Sequence, residues 1–156
     1  METKEKATMS SPFQYEATLL DQNPGIVWGM IKNLQFDVLC PSWIANVHWE
    51  QGEPGKVGSV VTFEYTDGAK WQFQVSEISD IKNTIVFELI EANPPAMATG
   101  ILNKITIHKE TLNNKTFLIW ETIFSTDTTT EVILDNKFKK VDFLVSMSRY
   151  FQAASQ

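Results

Sequence analysis

The chain has 156 residues, 43% hydrophobic and 21% charged, the size and composition of one ordinary globular domain. Its formal net charge of −6 has the wrong sign for a nucleic-acid surface, which carries a basic stripe, and no run approaches the ~20 apolar residues that stable membrane insertion requires. The single cysteine, Cys40, excludes an internal disulfide framework and cannot by itself build a thiolate-rich zinc site.

Residues 1–11 are polar and lack an apolar signal core, so they read as a disordered lead-in to a domain over 12–156, and the expected location is the cytoplasm. From Phe13 the pattern alternates, with Phe13, Tyr15, Ala17 and Leu19 on one face of a first strand. Asn23-Pro24 reads as a helix cap followed by proline at the first helical position. Val27, Met30, Ile31 and Leu34 then supply the stripe of a short helix, and Phe36 to Leu39 form one more turn ended by Pro41. Six strands follow, at 44–50, 58–65, 69–78, 84–91, 100–108 and 116–125. Their short connections require antiparallel pairing, because parallel neighbours need a crossover of about a dozen residues. The last element is a long helix from Glu131 to about Ala154, its apolar face assigned to Leu134, Phe138, Val141, Leu144, Val145 and Phe151, with Ile133 at the margin.

The expected fold class is α+β. A curved antiparallel sheet of about seven strands wraps around the long C-terminal helix, with one or two short helices after strand 1. One hairpin is predicted to the residue. A two-residue turn at Asp67-Gly68 would mix apolar and polar side chains on both faces. A three-residue loop, Thr66-Asp67-Gly68, pairs Phe63 with Trp71 and Val61 with Phe73, and collects the large apolar groups on one face. That loop places Gly68 at the left-handed position, where glycine is preferred.

The element order resembles the START-like superfamily, also called helix-grip or Bet v 1-like, and within it the polyketide cyclase/dehydrase-type SRPBCC family. The resemblance runs from about Phe13 to Phe151. It rests on Pro24-Gly25-Ile26-Val27-Trp28, on Trp43 with Val47 and Trp49, on Gly58-Ser59-Val60-Val61 before Asp67-Gly68, and on Trp120-Glu121-Thr122-Ile123-Phe124 ahead of the final helix. It implies a cavity between sheet and helix, and motifs specific for fold more than for function. Members of the family often carry an arginine three residues after the glycine matching Gly58 and a glutamate on the next strand. Here Val61 and Phe73 stand in those places, so a polar pair is replaced by an apolar one.

No catalytic fingerprint is present. His48 and His108 lie on different strands without clustered partners, so no metal site is expected. Cys40 precedes Pro41 with no signature and reads as a small buried hydrophobe. Gly52 to Gly58 is glycine-rich, but Val57 follows Lys56 where a phosphate loop needs Ser or Thr. It reads as a flexible connection, or as a gate at a pocket mouth. Asn114-Lys115-Thr116 matches a glycosylation triplet, a common chance pattern. Glu64 falls on a polar face. Glu77 falls at the end of the apolar face that runs through Trp71, Phe73 and Val75, as a rim acid or a solvated group.

The aromatic residues Phe63, Tyr65, Trp71, Phe73, Phe87, Trp120, Phe124 and Phe138 are expected inside, either as plain core or as a ligand-binding wall. Asn103 alternates with Ile101, Ile105 and Ile107, and Thr122 and Ser148 are further candidates for polar groups there. The expected site is a cavity lined by Val61, Phe63, Tyr65, Trp71, Phe73, Glu77, Asn103, Trp120, Phe138, Val141 and Val145. It would take a small hydrophobic molecule, lipid-like or aromatic, without cofactor or metal, in a monomer or homodimer. Two other readings stand beside it. One is a cyclase/aromatase-like enzyme in which Glu77, Tyr65 or Asn103 assists proton transfer. The other is an interaction module like the Hsp90-activator branch of the superfamily.

Overall fold

The computed structural model describes residues 12–154; the expected lead-in over 1–11 lies outside the described residues. The order is β1 (Phe13–Leu20), α1 (Pro24–Lys32), α2 (Phe36–Leu39), β2 (Ile44–Gln51), β3 (Val60–Tyr65), β4 (Lys70–Ser79), β5 (Thr84–Asn93), β6 (Ile101–Glu110), β7 (Lys115–Phe124) and α3 (Thr130–Ala154). The seven strands form one antiparallel sheet in the order β1-β7-β6-β5-β4-β3-β2, so the first strand closes against the last. This is the curved helix-grip architecture, with α3 held against the inner face of the sheet. Among the described residues no helix is long and apolar enough to cross a membrane.

Local chemistry accounts for the element ends. The Asn23 side chain accepts from the Gly25 amide at 2.8 Å, and Pro24 opens α1 where its missing N–H costs nothing. The β3–β4 hairpin takes the three-residue loop, with Phe63 opposite Trp71 and Val61 opposite Phe73. Gly68 sits at φ +94°, and the Asp67 carboxylate accepts from the Ala69 amide at 3.0 Å. Val61 and Phe73 are buried cross-strand partners, so the interior carries an apolar pair at the place where the resemblance implies a polar one.

The core lies between the inner sheet face and the three helices. Leu20, Val27, Ile31, Leu34, Phe36 and Leu39 join Phe63, Phe73, Phe87, Trp120 and Phe143 in one continuous cluster, with the Phe36 ring centre 5.4 Å from those of both Phe63 and Trp120. Cys40 is fully buried there, as a small hydrophobe, and burial pushes its thiol up to about 12.

Two expectations about facing are corrected. The face of α3 that enters the core carries Lys140, Phe143, Leu144, Met147 and Phe151. Leu134, Phe138, Val141 and Val145 are exposed, at 48%, 64%, 39% and 43%. These four share a spacing of four, three and four residues, as regular a stripe as the buried one, so periodicity alone could not choose between them. The buried stripe contains a lysine, which hydrophobicity reads as an outward position. The second correction is Glu77. The β4–β5 register shifts between Val75 and Glu77, and the extra residue, Ser76, turns Glu77 outward into solvent.

Candidate functional site

A cavity opens between the inner face of β3–β7 and α3, with about 40 Å3 of free space. One water needs roughly 10–15 Å3, so this inner space holds a few waters or one small functional group. Its wall is aromatic. Phe63 and Phe73 lie 5.2 Å apart between ring centres, Phe73 meets Phe87 edge-on at 5.3 Å, and Trp120 sits 5.6 Å from Phe143. Ile101 completes the apolar lining. Such rings supply large apolar area in fixed orientations, because each has only two side-chain torsions.

One polar chain crosses this apolar wall. Asn103 Oδ1 accepts from Trp120 Nε1 at 3.1 Å and from the Thr122 hydroxyl at 3.0 Å. With its proton committed to Asn103, Thr122 Oγ1 acts as acceptor toward Lys140 Nζ at 2.6 Å. Gln14 Oε1 accepts from the same amine at 2.7 Å, and the ring of Trp120 lies 5.8 Å from it. The Lys140 residue is 2% exposed. Burial lowers its pKa to about 7, against the pull of Glu16 on β1 and Glu121 on β7, which favour the charged form. Among the described residues no carboxylate lies within ion-pair distance of it. One turn earlier on α3, Asn136 Oδ1 is buried with no hydrogen-bond partner and lines the same cavity.

The cavity has a mouth. Tyr65, Trp71, Asn136 and Lys139 line both the inner space and a larger outer pocket of about 540 Å3. That pocket lies between the β3–β4 turn, residues 94–97 before β6, and the first turns of α3. Lys139 spans the mouth, its ammonium 5.3 Å from the ring centre of Trp43 and 5.2 Å from that of Tyr65. Asp135 holds the same ammonium at 3.0 Å.

Of the residues expected at the site, Phe63, Tyr65, Trp71, Phe73, Asn103 and Trp120 come together around the cavity. Val61 is buried beside Phe73 but does not reach the free space. Glu77 points away for the reason given above. Phe138 is on the outer face of α3, and Val141, Val145 and Ser148 line a separate groove between α3 and β1. The Gly52–Gly58 loop does not reach the mouth; Gly55 packs beside Asn33 and Lys32 at the end of α1. His48 and His108 are exposed on β2 and β6, and no metal-ligating cluster occurs among the described residues. Lys140, Asn136, Lys139, Phe143 and Ile101 were not expected at the site. The signal for them was present: stepping back from Met147 and Phe143 by helical turns leads to Lys140 and then Asn136.

No family model matches the sequence, and no curated protein matches it. Solved structures do match by fold. A structural-genomics protein from Nitrosospira multiformis superposes with a TM-score of 0.77 at 21% identity, covering 92% of this chain and 99% of that one. The ginseng (Panax ginseng) major latex-like protein 151 gives 0.72 at 17% identity, with 93% and 97% covered. Ara h 8.0201 gives 0.74 at 13% identity, with 91% and 98% covered. The fold is therefore the Bet v 1-like helix-grip fold over nearly the whole chain.

Proposed function

We propose that this chain is a cytoplasmic carrier or binding protein that takes a small aromatic or lipid-like molecule through the Tyr65–Trp71 mouth into the sheet–helix cavity. The observation that carries the reading is the continuity of two spaces. An aromatic inner cavity with a few converging polar groups joins an outer pocket through four shared residues. A ligand's apolar body fits the outer pocket and the Phe and Trp wall, and its polar end meets Lys140, Asn103 and Asn136.

The test is titration with anilinonaphthalene sulfonate, followed by fluorescence, in the wild type and in Ile101→Trp. Ile101 is buried against the free space, so the larger ring occupies it. Loss of binding in a variant that keeps its circular dichroism supports the reading; unchanged binding sinks it.

A second reading rests on a different observation. The exposed stripe of Leu134, Phe138, Val141 and Val145 on α3 is the kind of surface an interaction module presents. On that reading the probe binds the outer helix face. Phe138→Asp then abolishes the fluorescence and Ile101→Trp does not.

A further inference from the structure

Lys140 offers chemistry beyond a polar contact to a bound ligand. The residue is 2% exposed and lines the cavity from α3. Hydrogen-bond accounting defines its reactive geometry. Gln14 Oε1 and Thr122 Oγ1 both accept from it, because Thr122 spends its proton on Asn103. Two of the three tetrahedral positions on Nζ are therefore fixed N–H donors. The third has no hydrogen-bond partner among the described residues, with the Trp120 ring centre 5.8 Å from the nitrogen, and it carries either a proton or a lone pair.

We propose that Lys140 captures a small aromatic aldehyde covalently, as a reversible Schiff base formed inside the cavity. This inference rests on the binding reading above and adds to it the chemical class of the ligand. The Nζ lone pair attacks the carbonyl carbon, forming a C–N bond as the C=O π pair moves to oxygen. A proton passes from nitrogen to that oxygen, giving a carbinolamine. The hydroxyl then takes up a proton from water and leaves as water while the nitrogen lone pair forms the C=N bond, and the resulting iminium returns its last N–H proton to water, leaving the imine; water addition reverses every step. No oxidant or reductant takes part. The carbinolamine hydroxyl is a donor, and the unpartnered Asn136 Oδ1 one turn away is the acceptor that matches it. The aryl ring lies toward Trp71 and Tyr65 at the mouth.

The protonation state supports the same chemistry. At pH 7 an ordinary lysine is neutral in roughly one molecule in three thousand, whereas Lys140, with a pKa of about 7, is neutral in about half. Desolvation in an apolar pocket is one of the standard ways in which a lysine becomes a nucleophile. Glu16 and Glu121 oppose the effect from β1 and β7, and Lys139 is directed away toward Trp43 and Tyr65.

The experiment treats the full chain with benzaldehyde and sodium cyanoborohydride at pH 7, followed by intact mass and peptide mapping. The expected result is one benzyl group on Lys140, at an occupancy about tenfold or more above any exposed lysine. Its yield should rise through pH 7, while surface lysines respond only nearer pH 10. Lys140→Met removes the label and retains benzyl alcohol, followed through the Trp120 indole N–H resonance. The mapping in the wild type decides the matter even if that variant does not fold. Benzyl alcohol bound in the cavity with no label on Lys140, or label spread evenly over the lysines, overturns the covalent step alone. Absence of both label and benzyl alcohol binding overturns the cavity reading with it.

Discussion

Replacing Lys140 with Met should stabilise the protein at low pH and do so less as the pH rises. The sign follows from proton counting. In the unfolded chain this lysine titrates near its ordinary value of 10.5, and in the folded chain near 7. Between those values the unfolded state holds a proton that the folded state lacks, so wild-type stability climbs with pH across that window. Below pH 7 both states are charged, and the folded state carries the full cost of burying the ammonium. One pKa unit is worth about 1.36 kcal/mol, so the full shift from 10.5 to about 7 corresponds to a penalty on the order of 4–5 kcal/mol. Met removes that penalty and loses two hydrogen bonds worth about 1 kcal/mol each, leaving a net gain of about 2–3 kcal/mol at pH 6. Integrated over pH 6 to 9, the wild type recovers about 2–3 kcal/mol of it, so the advantage of the variant shrinks to near zero. Urea unfolding of both proteins at pH 6, 7, 8 and 9, read by circular dichroism, measures the difference directly. Taking the difference between the two proteins cancels groups that titrate alike in both. A difference that stays flat across the series would refute the claim that this amine is buried and easily deprotonated.

Phe73 touches Phe63, Trp71 and Phe87 at the centre of the aromatic wall, so Phe73→Ala should cost about 3–5 kcal/mol in urea unfolding. Gly68→Ala meets no atom within 4 Å and strains only the backbone at φ +94°; a loss of about 1 kcal/mol is expected, and a neutral result would contradict the turn geometry. Asp127 is held down to about 2 by hydrogen bonds from Ser125 and Thr99. Its contribution to stability is therefore present above the ordinary carboxylate pKa and lost as pH falls through about 2, a midpoint that NMR titration of its carboxyl carbon measures. Val145→Trp, on the exposed face of α3, should change stability by no more than about 0.5 kcal/mol and leave probe binding intact.

The hairpin at Asp67-Gly68 was legible because one-residue slippage would expose half its rings, so pattern and turn chemistry pointed to one register. Asn23-Pro24 was legible for the same reason: a cap and a proline agree on where α1 starts. The strand carrying Asn103 kept its alternation, and Ile101 and Asn103 both reach the cavity. What the sequence hid were two places where a polar residue occupies an apolar position, or one residue is added. Ser76 inserts a bulge that no side-chain pattern signals, and Glu77 turns outward with it. On α3 the exposed stripe through Phe138 and Val141 is more hydrophobic than the buried stretch through Asn136 and Lys140. Only partners distant in the chain, Gln14 and Thr122, explain why the lysine lies inside.

Lys139 has a consequence for how fast the interior exchanges its contents. It joins α3 to β3 and to the segment before β2 through two contacts with aromatic rings, each worth about 0.5–1 kcal/mol at an exposed site. Parting the mouth therefore costs roughly 1–2 kcal/mol, which leaves on the order of one molecule in ten ajar at any moment. Arrival and departure then run on the nanosecond-to-microsecond clock of side chains and loops, without any unfolding of the sheet. A molecule held only by apolar contact would come and go quickly, and a long residence time would report a bond made further in.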